Sequence, residues 1–179
     1  MGTALLLVDG QNAFFDGLHG PPVWEASALL SRLGLLLGRA RLAGVPVVFV
    51  QHDEAGSEFD PGSPSWELHP ELAPLPAETV VRKTTPDSFL ETRLRAVLER
   101  LGARHLVVAG NQTEFCIDTT CRRARGLGFQ VSLVGNGHGT WDGGGLTAAQ
   151  IVAHHNRVLG IGFTSVLEAE AVRFGASGA

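Results

Sequence analysis

The feature that most constrains this chain is a repeated alternation. Short continuous apolar runs, too brief for helices, are separated by stretches whose apolar residues recur at helical spacing. Residues 3–8 form the first run and end in Asp9, the pattern of a strand buried on both faces. Across 24–42, Leu29, Leu30, Leu33, Leu36, Leu37 and Ala40 fall on one helical stripe, and Gly44 supplies a C-terminal stop. Further strands are predicted at 45–50, 79–82, 104–109, 130–134 and 162–166. Helices are predicted over about 88–101, from Thr113 or Glu114 to Gly126 or Gly128, and over about 147–159. Strands alternating with helices, mostly without a hairpin signal, predict an α/β fold with a mainly parallel sheet covered on both faces. A chain of 179 residues, 44% hydrophobic and 18% charged, is expected to fold as one domain spanning 1–179.

The stretch 51–78 breaks the alternation. It holds most of the prolines and no sustained period, so it reads as a long irregular loop with one short helical turn. Loops of that length in compact domains tend to carry function. Open α/β sheets bind ligands beyond the carboxyl ends of their strands. Asp9 ends the first predicted strand, Lys83 follows the third, and Cys116 lies just past the fourth, where a helix begins.

Other functions are disfavoured. With a formal charge of −4 and no clustering of its 14 Lys and Arg, the chain lacks the electrostatic footprint of a nucleic-acid binder. The N-terminal apolar stretch is too short for a signal peptide or a membrane span, and a cytoplasmic location is expected. Cys116 and Cys121 on one helix would stand about 7.5 Å apart along its axis and on different faces, which forbids a disulfide between them. Two free thiols fit a reducing compartment.

A free thiol has a pKa near 8.5, lowered by a helix N-terminus or a nearby cation. Cys116 is therefore expected to be an activated nucleophile with Lys83 as its cation, and Cys121 a small core residue. Asp9 could take the thiol proton and return it to a leaving group. Backbone N–H groups of the turn 110–116 could hold the oxyanion formed when sulfur attacks a carbonyl.

Three segments carry a family resemblance: Leu6-Leu7-Val8-Asp9-Gly10-Gln11-Asn12-Ala13-Phe14-Phe15, Lys83-Thr84-Thr85-Pro86-Asp87-Ser88-Phe89, and Gly110-Asn111-Gln112-Thr113-Glu114-Phe115-Cys116-Ile117-Asp118-Thr119-Thr120. Together they resemble the isochorismatase-like cysteine hydrolases, relatives of nicotinamidases and carbamoylsarcosine amidases. The resemblance implies a Rossmann-like, three-layer α/β/α fold with a six-stranded sheet in the order 321456. It also implies an Asp9, Lys83 and Cys116 triad that cleaves a C–N bond of a small amide, carbamoyl or ureido compound through a Cys-bound acyl intermediate. The alternatives are an isochorismatase-type vinyl ether hydrolase, which does not require the thiol, and a catalytically silent member of the fold. A cis bond is implied between Asn111 and Gln112, with the N–H groups of Gln112 and Cys116 forming the oxyanion hole. Phe14 and Phe89 by motif position, and Trp66 by its place in the long loop, are candidate pocket walls.

The resemblance implies a homo-oligomer, a dimer or higher, acting on a small molecule without a cofactor. His52, Asp53 and His69 prompt a metal hypothesis, but nicotinamidases share an Asp-x-His arrangement, whereas here Val50 stands two before His52. No metal is expected. Around His138, relatives carry an Asp-Ala-His-Ala-Thr-like turn. Here Asn136 replaces the acid, glycines replace the alanines, and the run through Gly143-Gly144-Gly145 reads as a mobile rim to the site.

Overall fold

The computed structural model describes residues 2–175. Six strands form one parallel sheet: β1 (Gly2–Val8), β2 (Val47–His52), β3 (Thr79–Lys83), β4 (Ala103–Asn111), β5 (Gln130–Gly139) and β6 (Ser165–Leu167). Their order is β3-β2-β1-β4-β5-β6. Strand β1 is central, pairing Leu5 with Val47 on one side and with Val107 on the other. Chain order therefore reverses between β1 and β4, the place where ligands collect in such sheets.

The alternation of strand side chains explains the layering. Ala4, Leu6 and Val8 point into one apolar cluster, while Leu5 and Leu7 point into the other. Helix α1 (Ala26–Leu42) covers the second cluster with Leu29, Leu33, Leu36, Leu37 and Ala40. The opposite face is covered by α2 (Leu94–Arg100), α3 (Asp118–Gly126) and α4 (Ala148–Gly162), through Leu94, Leu98, Cys121, Ala124 and Leu159. Each fully buried leucine contributes about 1.5–3 kcal/mol. This is the three-layer α/β/α arrangement read from the alternation of runs.

Two elements differ most from the sequence-based expectation, each for a physical reason. Helix α2 starts at Leu94 instead of near Ser88. Side chains in 87–92 bond the local backbone instead: Asp87 Oδ1 accepts from the Phe89 N–H at 2.8 Å, and Thr92 Oγ1 donates to the Ser88 carbonyl at 2.7 Å. Such bonds compete with the helical ladder, and Glu91 takes a left-handed φ of 54°. Strand β5 runs on to Gly139 past the predicted end at 134, so residues 135–139 belong to the sheet. Its far end pairs His138 with Gly110 and Gly139 with Asn111, after an irregularity between Val108 and Gly110. The glycines permit this extension: a Cβ on Gly135, Gly137 or Gly139 would come within 2.8 Å of Val166, Val134 or Leu29 side chains.

The long loop contains a 3-10 turn at Pro70–Leu72 and is tied to the sheet by buried glutamines. Gln11 Nε2 donates to the carbonyls of His52 and Trp66, both at 2.9 Å, while its Oε1 accepts from the His52 N–H at 2.8 Å. Gln51 Nε2 also donates to the Trp66 carbonyl, at 2.9 Å. No helix among the described residues is long and apolar enough to cross a membrane.

Candidate active site

Three residues far apart in sequence meet at the carboxyl edge of the sheet. Lys83 is the last residue of β3, and its Nζ lies 2.8 Å from Asp9 Oδ2 and donates to Cys116 Sγ at 3.1 Å. Asp9 follows β1 with a left-handed φ of 48°, a conformation that aspartate tolerates better than most residues. Its N–H bonds the Val50 carbonyl at 2.8 Å. Cys116 belongs to a π-helical turn, Thr113–Ile117, that leads from β4 into α3. All three are buried, at 1%, 2% and 9% exposure for Asp9, Lys83 and Cys116.

The local chain path depends on Gly110. It has a φ of 125°, and a Cβ there would stand 1.8 Å from the Val8 carbonyl oxygen. Only glycine lets the end of β4 approach β1 this closely. The Asn111–Gln112 peptide bond is cis. The turn is further anchored by a buried chain of polar groups. Asn156 Nδ2 donates to the Gly135 carbonyl at 2.8 Å, so its Oδ1, 3.0 Å from His138 Nε2, faces a donor. His138 Nδ1 is then the acceptor for the Thr113 hydroxyl at 2.9 Å. Burial pushes His138 down to about 4, against the opposing hydrogen bond to Asn156, so the ring is neutral at pH 7.

The electrostatics overturn one sequence-based expectation. The Cys116 thiol is not lowered: burial, reinforced by the negative field of Asp9, pushes it up to about 12 despite Lys83. For Lys83, burial acts downward, but the neighbouring Asp9 and Cys116 outweigh it and raise the ammonium above its ordinary value. Lys83 therefore holds its proton at neutral pH. His52 approaches the same ammonium, Nδ1 to Nζ at 3.2 Å, and burial together with Lys83 lowers its pKa. Asp9 Oδ1 is buried without a hydrogen-bond partner.

Above the cluster opens a cavity of about 360 Å³ lined by Asp9, Phe14, His52, Glu54, Phe59, Thr84, Pro86, Gln112, Phe115 and Cys116. Of the candidate walls, only Phe14 lines it. Trp66 instead donates its indole N–H to Asp53 Oδ1 at 2.8 Å and carries the Arg82 guanidinium over its ring. Phe89 packs against Phe129 on the core side of the sheet. His52, Asp53 and His69 diverge in the same way. His52 meets Lys83, Asp53 pairs with Arg82 at 2.7 Å, and His69 rests edge-on against Phe15. Among the described residues no group of three His, Cys, Asp or Glu is placed to hold a metal ion.

Sequence reasoning did not single out His52, Glu54, Phe59, Thr84, Pro86 or Phe115 for the pocket. Thr84, Pro86 and Phe115 lie inside or beside the recognised motifs and were open to inference. Phe59 sits in the irregular loop, where no period marks an inward side chain.

Fold and site together define a parallel three-layer α/β/α protein with a buried Asp-Lys-Cys cluster at the switch point of its sheet. The isochorismatase domain family matches residues 3–157. A streptothricin hydrolase from Streptomyces noursei is 45% identical over 140 residues, covering 78% of this chain and 50% of that protein. The chain spans about half the length of the two streptothricin hydrolases it matches. A ureidoacrylate amidohydrolase from Pseudomonas syringae pv. syringae is 30% identical over 171 residues, covering 74% of this chain and 67% of that one. The crystal structure of an isochorismatase from Pseudomonas putida KT2440 superposes with a TM-score of 0.89 at 30% identity, covering 95% of this chain and 89% of its own. The chain belongs to the isochorismatase family.

Proposed function

We propose that this protein hydrolyses a C–N bond of a small amide, carbamoyl or ureido compound, with Cys116 as nucleophile. The observation that carries the reading is the Lys83 ammonium, 2.8 Å from Asp9 and 3.1 Å from Cys116 Sγ, at the floor of a cavity that both partners line. Relatives named as a streptothricin hydrolase and a ureidoacrylate amidohydrolase support the substrate class.

With its thiol pushed up to about 12, resting Cys116 is protonated at neutral pH. Attack on the substrate carbonyl therefore requires proton transfer as the C–S bond forms. Asp9, with an unpartnered buried oxygen, accepts that proton, and Lys83 stabilises the sulfur as charge develops on it. The carbonyl oxygen becomes an oxyanion directed at the backbone N–H groups of Gln112 and Cys116. Collapse breaks the C–N bond, Asp9 protonates the departing nitrogen, and ammonia or an amine leaves a thioester on Cys116. Water, deprotonated by Asp9, attacks the thioester, and the acid product departs as the thiol is restored.

The test is ammonia release across a panel of amides, carbamates and ureas, with trapping of the acyl adduct on Cys116 by mass spectrometry. Ammonia release that survives Cys116→Ala would discard the thiol route, and no release from any amide in the panel would leave the acid-assisted vinyl ether reaction or a silent fold. In the same reading, the chain acts as one domain, in the cytoplasm, as a homo-oligomer. Light scattering of the purified protein tests the last point.

A further inference from the structure

The charges around the cavity do not cancel. Asp9 and Lys83 pair with each other, and His52 is kept from protonating by burial and by Lys83. Glu54 remains. It lines the cavity, and its carboxylate has no ion-pair or hydrogen-bond partner among the described residues. Its backbone, by contrast, is pinned: the Glu54 N–H donates to the Phe59 carbonyl at 3.0 Å, and its carbonyl accepts from the Ser57 N–H at 3.2 Å. The backbone that carries this carboxylate is thus fixed by a closed turn.

The apolar part of the lining is largely aromatic. Phe14 and Phe59 stand with ring centroids 5.3 Å apart, and Phe115, half exposed, completes the lining. Ring faces attract cations. Beyond Phe14, whose ring stacks on Trp141 at 5.5 Å, a second cavity of about 350 Å³ is lined in part by Ala13, His19, Trp141 and Glu58. Glu58 comes from the same turn as Glu54. One short turn therefore presents a glutamate to each cavity, no lysine or arginine is among the residues that line either one, and Arg82, next to Lys83 in β3, is occupied by Asp53 and Trp66.

From this arrangement we propose that the site selects amides that carry an ammonium or guanidinium group, with Glu54 as the residue that sets this specificity. The inference rests on the C–N hydrolase reading for its substrate class, but the charge preference is a property of the cavity and is measurable without turnover. A carboxylate-bearing substrate would meet Glu54 as a like charge, with no lysine or arginine among the described residues lining the cavity to offset it. An ammonium would gain both the carboxylate and the ring faces. Small anionic acids are thereby disfavoured at this site.

The experiment has two arms. In the first, ammonia release is followed with hexanamide, 6-aminohexanamide and adipic acid monoamide, which share a chain length and differ in charge. The expected order of kcat/KM is cation, then neutral, then anion, with the cation-to-anion ratio cut about fivefold by Glu54→Gln and reduced by high salt. In the second, Cys116 is modified by methanethiosulfonate reagents bearing an aminoethyl or a sulfonatoethyl group, each rate normalised to that with a free small thiol. The cationic reagent should be favoured about fivefold, and Glu54→Gln should bring the ratio toward one. An equal or reversed ratio in the unmodified protein, or a ratio that Glu54→Gln leaves unchanged, overturns the inference. If no amide is hydrolysed but the reagent ratio behaves as expected, the hydrolase reading fails and the cation preference stands.

Discussion

Cys116 and Cys121 lie five residues apart on consecutive helical turns, both buried and both with thiols pushed up to about 12, yet they occupy different chemical worlds. Around Cys121 burial dominates, Asp118 adds to it and Arg122 opposes it. The side chain is fully buried in the apolar cluster beneath α3. Around Cys116, burial is met by an ammonium at 3.1 Å, and the residue lines a cavity. Resting acidity therefore does not distinguish a reactive cysteine from a packing one here. The distinction is whether the protein supplies a cation for the developing charge and room for a carbonyl.

The largest expected break in this comparison is Cys116→Ala against Cys121→Ala. The first should lower amide turnover by about 10⁴-fold or more. The second should keep turnover within about twofold and cost about 1 kcal/mol of stability. Next is Lys83→Met, which leaves the Asp9 carboxylate buried without its partner. It should destabilise the fold by about 3–5 kcal/mol in urea unfolding, and turnover should fall with it. Lys83→Arg is expected to fail as well, because the guanidinium is too large for a side chain with 0% exposure.

A smaller effect concerns how the Cys116 turn is anchored. His138 has a folded pKa of about 4 against an ordinary 6.5, so the folded state disfavours the proton. Its stabilisation is fully present above about pH 6.5 and is lost as pH falls toward 4, by about 3 kcal/mol. Urea unfolding at pH 7 and pH 4 should show that loss in the unmodified protein and a smaller one in His138→Gln. The smallest effect expected is kinetic. Near neutral pH iodoacetamide should label Cys116 about tenfold faster than Cys121, slowly at both, since access differs while resting acidity does not. Fast labelling of Cys116 would show that the thiol is lower than its burial implies.

Much of this site was legible before any coordinates. Asp9, Lys83 and Cys116 each stand at a strand end inside a local motif, and an apolar run followed by a polar residue marks a strand's carboxyl edge without knowledge of its neighbours. The extension of β5 was harder to read. Gly135, Gly137 and Gly139 alternate with Asn136 and His138 at a strand's period of two, but glycine runs are ordinarily turn signals. The start of α2 was missed because Asp87 and Thr92 bond their own backbone, which an apolar period does not register. Trp66 and Phe89 were assigned to the pocket by position alone. Which way an aromatic ring turns is settled by partners such as Asp53, Arg82 and Phe129, none adjacent in sequence.

By itself, then, the amino-acid sequence determined the layered α/β fold, the strand ends and the three residues that meet there, because periodicity and motif spacing are local properties. Only the tertiary structure decided the acidity of Cys116, the company of His52 and the charge of the cavity. Burial and Coulomb interaction depend on distances between residues 9, 52, 54, 83 and 116, and those distances exist only once β1, β2, β3 and β4 lie side by side.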